Sequence, residues 1–309
     1  KSVTPTEDYY EKRRLWGAFA EIDLDYKKWL YLTLTGRNDW SSTLPQDNRS
    51  YFYPSAAASF IFTEALQMNS NVLNFGKLRA SWAKVGRDAD PYSLINTFKV
   101  NLPFQGQSGV IQIPTAGNEE LKPEFTRDFE VGTTLEFLNS RIALDVAWYT
   151  RLSTNQIAPL TLPASSGFAE VFDNYGRLTN KGIEVDLNLI PVRTKDLTWS
   201  LHWIFTKNRS VVEELKEGVE RLELNGVLDE MSPYLEPGKP YGYLRGTKNA
   251  RDAQGHLLID PNTGLLIRAT EQGMVGDPNA DFKTGLSTTL NYQGFFRNAL
   301  FDLTRGGDI

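Results

Sequence analysis

The stretch DFEVGTTLEFLNSRIALDVAWY (128–149) sorts its side chains with a period of two. Phe129, Val131, Leu135 and Phe137 fall on one face, against Asp128, Glu130 and Glu136 on the other. Asn139 and Ser140 turn the chain, and Ile142, Leu144, Val146 and Trp148 then alternate with Arg141, Asp145 and Tyr149. A helix would spread these residues around its surface, whereas a strand separates them. The stretch reads as an antiparallel hairpin with one greasy and one wet face.

The same pattern runs outward in both directions. Upstream, Ala18, Ala20, Ile22, Leu24 and Tyr26 alternate with Glu21, Asp23 and Asp25, and Leu30, Leu32 and Leu34 follow beyond Lys27 and Lys28. Strands are also expected at 51–62 and 75–85. Downstream, Ile183, Val185, Leu187 and Leu189 lead through a turn at 191–196 to Leu197, Trp199, Leu201, Trp203 and Phe205, opposite Ser200 and His202. Leu286, Leu290 and Tyr292 precede a last turn at 293–296, and Ala299, Phe301 and Leu303 close the series. This makes about ten strands in five hairpins, each long enough for the ~9–11 residues that a membrane-crossing strand needs. Short connections at 27–28, 63–73, 138–140, 191–196 and 293–296 alternate with long ones near 38–50, 86–125, 150–180 and 207–281. The glutamate-rich part of the last, 213–223, is expected to form a short helix.

Composition narrows the classes. In 309 residues, 40% hydrophobic and 23% charged content argues against disorder, and a net charge of −5 gives no support for nucleic-acid binding. The chain has no cysteine, and its two histidines, His202 and His256, are too few for a histidine metal cluster. No catalytic constellation and no cofactor motif is present, so an enzyme is not expected. Residues 1–14 are polar and lack the apolar core of a signal peptide. No run of eighteen apolar residues exists for a helical span, a test that a β-barrel escapes. Lipid requires every backbone N–H and C=O to be paired within the protein, so a spanning sheet must close. Aromatics near strand ends, Trp16, Tyr26, Trp29, Tyr149 and Tyr292, suit interfacial girdles. A soluble β-sheet with one wet face would alternate in the same way.

Several motifs carry a resemblance. YLTLTGRNDWSSTLPQDNRSYFYPSAAASFIF (31–62) is similar to a barrel hairpin of the SusC/RagA-type TonB-dependent transporters, through Arg37, Asp39, Ser41, Ser42, Asn48, Arg49, Phe52, Pro54 and Ser55. Trp40 stands where that family often has glycine. NFGKLRASWAKVG (74–86) resembles the next strand. The block 121–167 resembles the family through Leu121, Lys122, Pro123, Glu124, Glu130, Gly132, Asp145, Tyr149, Asn155, Gln156 and Ile157. NYGRLTNKGIEVDLN (174–188), EPGKPYGYLRG (236–246), VGDPNADFKTGLSTTLNYQGF (275–295) and LTRGGDI (303–309) complete the series in family order.

The resemblance implies an all-β, transmembrane antiparallel barrel of about 22 strands in the bacterial outer membrane, of which this chain supplies about ten. It implies residues 1–309 to be a partial barrel with long extracellular loops, the plug domain and final strands lying outside the chain. It also implies active import of oligosaccharides or peptides, energised through TonB acting on the plug. The expected partners are a SusD-like surface lipoprotein, the remaining parts of the same barrel, and lipid or lipopolysaccharide. A passive porin-like barrel and a soluble β-sheet binding module are the alternatives.

Sugar rings can lay apolar faces on aromatic side chains. Trp40, Tyr92, Phe104, Phe168, Tyr234 and Tyr241 fall in expected extracellular loops and are the candidate substrate contacts, with packing of loops or partner as their competing role. Phe172 lies in the same loop as Phe168. Asp252, Asp260 and Asn262 flank a glycine-containing turn and offer a weak calcium alternative to plain turn formation.

Overall fold

The computed structural model describes residues 10–104, 107–224 and 231–308. In chain order the elements are β1 (Leu15–Tyr26), β2 (Leu30–Ser41), β3 (Ser50–Ile61), the helical turn α1 (Phe62–Ala65), β4 (Leu73–Arg87), β5 (Phe98–Phe104), β6 (Gln107–Gln112), β7 (Thr115–Ala116), β8 (Glu124–Phe137), β9 (Ile142–Thr161), β10 (Glu170–Arg193), β11 (Leu197–Leu215), β12 (Leu222–Glu223), β13 (Met231–Leu235), β14 (Tyr243–Asn249), β15 (Arg268–Gly276), β16 (Ala280–Tyr292) and β17 (Phe295–Gly306). One large sheet runs β1-β2-β3-β4-β8-β9-β10-β11-β16-β17, with β7 added alongside β10. Each neighbouring pair along that path is antiparallel. The excursion between β11 and β16 builds its own four-stranded sheet, β12-β13-β14-β15, and β5 pairs with β6.

The register explains the alternation. Leu24 lies opposite Leu32, then Ala58, Ala80, Val131, Trp148 and Ile183 continue the row from strand to strand. A parallel row passes from Leu144 through Leu187, Trp203 and Leu286 to Phe301. A one-residue slip anywhere would carry these side chains to the opposite face. Tight turns hold the register: Lys27, Lys28, Asn139, Ser140, Gln293 and Gly294 all have positive φ, and Gln293–Gly294 is a two-residue loop of the kind that matches strand twist.

The opposite face is polar and internally bonded. Arg79 on β4 reaches across β8 to Asp145 on β9, donating to its two oxygens at 2.7 and 2.9 Å. Thr134 donates to the same carboxylate at 2.6 Å. This crossing needs Gly132, which sits between them in the register: a Cβ there would come within 2.5 Å of the guanidinium. His202 Nε2 meets Asp186 Oδ2 at 2.8 Å further along the same face. Several charged groups on this face are thus paired, and no described layer covers the apolar rows, where Trp82 (40%) and Trp148 (41%) remain exposed.

The two buried apolar clusters lie at one end of the strands instead. One cluster joins Leu160, Tyr175, Leu178, Val212 and Leu215 to Leu222 and Leu235 of the excursion. The other joins Leu44, Tyr51, Ala89 and Leu121. Both sit at the end carrying the long connections.

Four expectations are corrected. The segment 150–180 is mostly strand: β9 continues to Thr161 and β10 begins at Glu170, leaving a short connection with a 3-10 turn at Ala164–Ser166. Beyond the apolar rows both faces are wet, so the period-two signal fades while backbone pairing persists. No helix forms at 213–223: Val212 and Leu215 drop into the first cluster, β11 pairs with β10 as far as Leu215, and Gly218 turns the chain with φ +83. Trp40 is not in a loop but near the end of β2, stacked on Trp16 at 3.9 Å on the apolar face. Tyr149 is not a girdle residue, because it covers Gly182 on the polar face, where an added Cβ would meet its ring at 2.4 Å.

Replacing Val185 with lysine puts a charge in the middle of an apolar row and is expected to lower stability by about 2–4 kcal/mol in a bilayer. Asn188→Lys, on the polar face, is expected to cost little. Urea unfolding of the intact protein in lipid vesicles, followed by tryptophan fluorescence, measures the difference.

Candidate functional site

The apolar rows stop near Trp82, Phe129, Trp148, Ile183 and Phe205, and β9, β10 and β11 continue past them. Thirteen residues of β9 lie beyond Trp148 (149–161), on the order of 40 Å of extended chain at ~3.3 Å per residue. These extensions form a collar. Within it β9 and β10 both bulge: Asn155 adopts φ 56, and the register shifts on either side of Gly176. The bulge turns Tyr175 into the buried cluster, where it is 5% exposed, and burial raises its phenol well above the usual tyrosine range.

Asn174 locks the bulge. Its amide donates to the carbonyls of Lys122 (2.9 Å) and Asn155 (2.8 Å), while its Oδ1 accepts from the Lys122 N–H at 2.9 Å. Asn48 donates to the Leu121 carbonyl at 3.0 Å, and Glu124 Oε1 accepts from the Ile157 N–H at 2.8 Å. A second lock lies over β1–β4. Asp88 is 6% exposed and accepts from Arg13, from Thr43 at 2.8 Å and, closer still, from Ser41. Residues separated by as many as 75 positions therefore meet at the rim to fix its shape.

Beneath this rim, on the polar face, lies a cavity of about 670 Å³. Arg87, Glu124, Asp128, Arg151, Gln156, Asn180 and Tyr241 line it. Arg151 clamps Asp128 Oδ2 with Nε (2.9 Å) and Nη2 (2.6 Å), and Asp128 Oδ1 is left without a hydrogen-bond partner among the described residues. Glu124 sits at the outer tip of β8, beyond the apolar rows, where burial raises its carboxyl pKa against the opposing pull of the Ile157 N–H and Arg87. The cavity thus offers carboxylates, guanidinium groups, amides and one aromatic ring, a set that can hydrogen-bond and stack on a polar solute.

Of the candidate aromatics whose side chains are described, only Tyr241 lines this cavity. Tyr92 is exposed in the turn after β4, with φ 66, and its hydroxyl accepts from the Lys12 N–H at 3.3 Å. The backbone of Phe104 pairs with Gln107 at the end of β5, and its side chain lies outside the described residues. Phe168 is in the short loop between β9 and β10, bonded to Ser166. Phe172 packs against the Leu44–Leu121 cluster. Tyr234 lies on β13, donates to Glu223 at 3.1 Å and carries the Arg245 guanidinium over its ring. Arg87, Asp128, Arg151 and Asn180 were not among the candidate contacts read from the sequence, because they come together only from four different strands. Asp252 and Asp260 bind turn N–H groups of Gln254, His256 and Asn262, which holds both carboxyls below their ordinary pKa. Among the described residues no group of three or more acidic, histidine or cysteine side chains is placed to hold a metal.

The family model described as TonB dependent receptor-like, beta-barrel matches residues 2–226. The chain belongs to this family. Among curated proteins it is 26% identical to TonB-dependent receptor P3 of Formosa agariphila, over 97% of this chain and 33% of that protein. It is 28% identical to TonB-dependent receptor P26 of the same organism, over 94% of this chain and 32% of that protein. It is 26% identical to TonB-dependent receptor SusC of Bacteroides thetaiotaomicron, over 93% and 31%. The chain therefore spans about a third of these relatives' length. The RagAB peptide importer in its closed-closed state shares the fold with a TM-score of 0.79 at 21% identity, covering 95% of this chain and 33% of that one. The open-open state gives 0.78. The sheet is a wall of TonB-dependent receptor-like β-barrel type, its apolar rows facing lipid and its polar face turned away from it. The cavity therefore opens on the side turned away from lipid, at the end that carries the long connections.

Two outcomes test the rim. Asn174→Ala removes three hydrogen bonds and is expected to speed amide exchange at 121–124 and 154–157 by an order of magnitude or more, while the apolar rows stay protected. Tyr243, 1% exposed, donates to Glu236, and burial together with that bond pushes its pKa up to about 12. Its folded pKa is raised, so its contribution is complete below the unfolded value of about 10 and is lost as pH climbs through about 12. Alkaline titration of the four-stranded excursion sheet by circular dichroism is expected to lose this pH dependence in Tyr243→Phe.

Proposed function

We propose that this chain is wall and extracellular collar of an active outer-membrane importer for oligosaccharides or peptides. About ten strands of a barrel of about 22 come from residues 1–309. The plug, the final strands and the TonB-contacting segment belong to parts outside this chain. A SusD-like lipoprotein is the lid, and the expected role of Tyr92, Phe168, Tyr234 and Tyr241 is contact with substrate or with that lid. The observation that carries this reading is the polar-face cavity of about 670 Å³ beneath a locked rim, in a wall of TonB-dependent receptor type. Family members are transport proteins, and no catalytic chemistry is assigned to the cavity. Its paired charges and amides suit backbone amides or sugar hydroxyls equally, and the RagAB likeness favours testing peptides first.

Both edges of the sheet, β1 and β17, are exposed along their whole length. Open edges cannot persist in lipid, which supports closure by further strands.

Cells expressing the intact protein should accumulate labelled oligopeptides or oligosaccharides, and collapse of the inner-membrane proton gradient should abolish uptake. Uptake that continues after collapse would indicate a passive pore. Arg151→Ala combined with Tyr241→Ala is expected to reduce uptake at low substrate concentration at least tenfold, without changing the amount of folded protein.

A further inference from the structure

The face turned away from lipid carries two apolar side chains that the wall itself does not require. On β1, Phe19 alternates with Ala18 and Ala20 and so shares its face with Glu21 and Asp23. Its side chain is 77% exposed. On β4, Val85 shares its face with Lys77 and Arg79 and is 53% exposed. A strand added beside β1 would flank Phe19 rather than cover it. Single exposed apolar residues are ordinary on a wet surface, but these two line one hollow.

That hollow measures about 300 Å³, and Pro54 and Ala83 complete its apolar part. Its polar side chains are largely engaged with one another or with neighbours. Arg37 donates from Nε to Asp39 at 2.8 Å, Tyr53 donates to the other oxygen of that carboxylate at 2.5 Å, and the hydroxyls of Thr35 and Ser55 meet at 2.5 Å. Lys84 holds its ammonium over the Phe125 ring, 3.6 Å from the centre. The terminal nitrogens of Arg37 keep their donors unbonded among the described residues.

The hollow is continuous with the larger cavity, since Ala83 and Val85 line both. Val85 pairs with Thr126, Thr126 with Ser153 and Ser153 with Leu178, so one register row carries the lining from β4 to β10. The two spaces form a trough across the strands, charged and amide-rich over β8–β11 and apolar over β1–β4. A polyhydroxylated ring needs hydrogen-bond partners around its rim, and in the smaller hollow most of these are already taken. An alkyl or phenyl group needs none and gains by leaving water. Arg37 beside it suits the carbonyl that a peptide carries next to each side chain.

We propose that the smaller hollow is a specificity subsite for an apolar side chain of the cargo, with Phe19 and Val85 as the residues that select it. The inference rests on the reading of the larger cavity as part of the substrate path and deepens it. The cargo is an amphipathic peptide, polar where it meets Arg151 and Tyr241 and apolar where it meets Phe19.

The test is binding, which needs no energised uptake. The intact protein in lipid nanodiscs is titrated calorimetrically with three probes: two pentapeptides of equal charge that differ in one residue, phenylalanine or serine, and a neutral pentasaccharide. The wild type is expected to bind the phenylalanine peptide at least tenfold more tightly than the serine peptide. Phe19→Ser is expected to erase that preference and Phe19→Leu to keep most of it. Val85→Thr, which adds a hydroxyl at similar size, is expected to reduce it severalfold. Variants are compared only in the fraction that keeps the barrel's heat-resistant gel mobility. Equal, measurable affinities for the two peptides would overturn the subsite alone, whereas no binding of any probe would overturn the substrate path with it. Tighter binding of the pentasaccharide than of either peptide would also overturn the proposal. So would an unchanged preference in Phe19→Ser, and leakage of a bulky antibiotic into cells carrying that variant would then mark a ring packed against the plug.

Discussion

Everything in this structure follows from a sheet that must satisfy two solvents at once. A soluble domain hides its apolar side chains beneath a second layer. Here no such layer covers the apolar rows among the described residues, and the buried clusters are displaced to the rim. The backbone bonds of the wall run from strand to strand, which is the only arrangement lipid permits to a spanning sheet. The polar face can then carry charge, provided that the charges pair. Arg79 and Asp145 do so across an intervening strand, and Gly132 leaves the space for it.

The rim is governed by different physics. With water on both sides, strands β9–β11 gain nothing from greasy alternation, and side-chain hydrogen bonds to backbone replace it. Asn174 and Asp88 each gather several donors or acceptors from distant segments. Several residues that mark the family in the sequence, among them Ser41, Asn48, Lys122, Glu124 and Asn155, take part in these bonds. They hold the shape around the cavity, whose own lining is more varied chemically.

Legibility followed the same division. The strands between Leu24 and Leu303 that cross the apolar rows could be read because one face is compelled to be apolar. Turns with positive φ, such as 139–140 and 293–294, were readable from local composition. The collar was not: residues 150–161 and 170–180 are rich in Thr, Ser, Asn and Arg, and nothing in their pattern distinguishes a wet strand from a loop. The stretch 213–223 has strong helix formers, but Val212 and Leu215 were drawn into a tertiary cluster that overrode propensity. Of the cavity, Tyr241 was found because aromatic residues attract notice in loops. Asp128 and Arg151 were hidden because their meeting depends on register between β8 and β9.

The collar also separates two tasks in space. Because β9 and β10 rise well past the last lipid-facing tryptophan before they bulge at Asn155 and Tyr175, the mouth of the protein stands off from the headgroup layer. Loops at that height answer to water and to visiting molecules only. They are free to change in sequence and length without disturbing the greasy seam below.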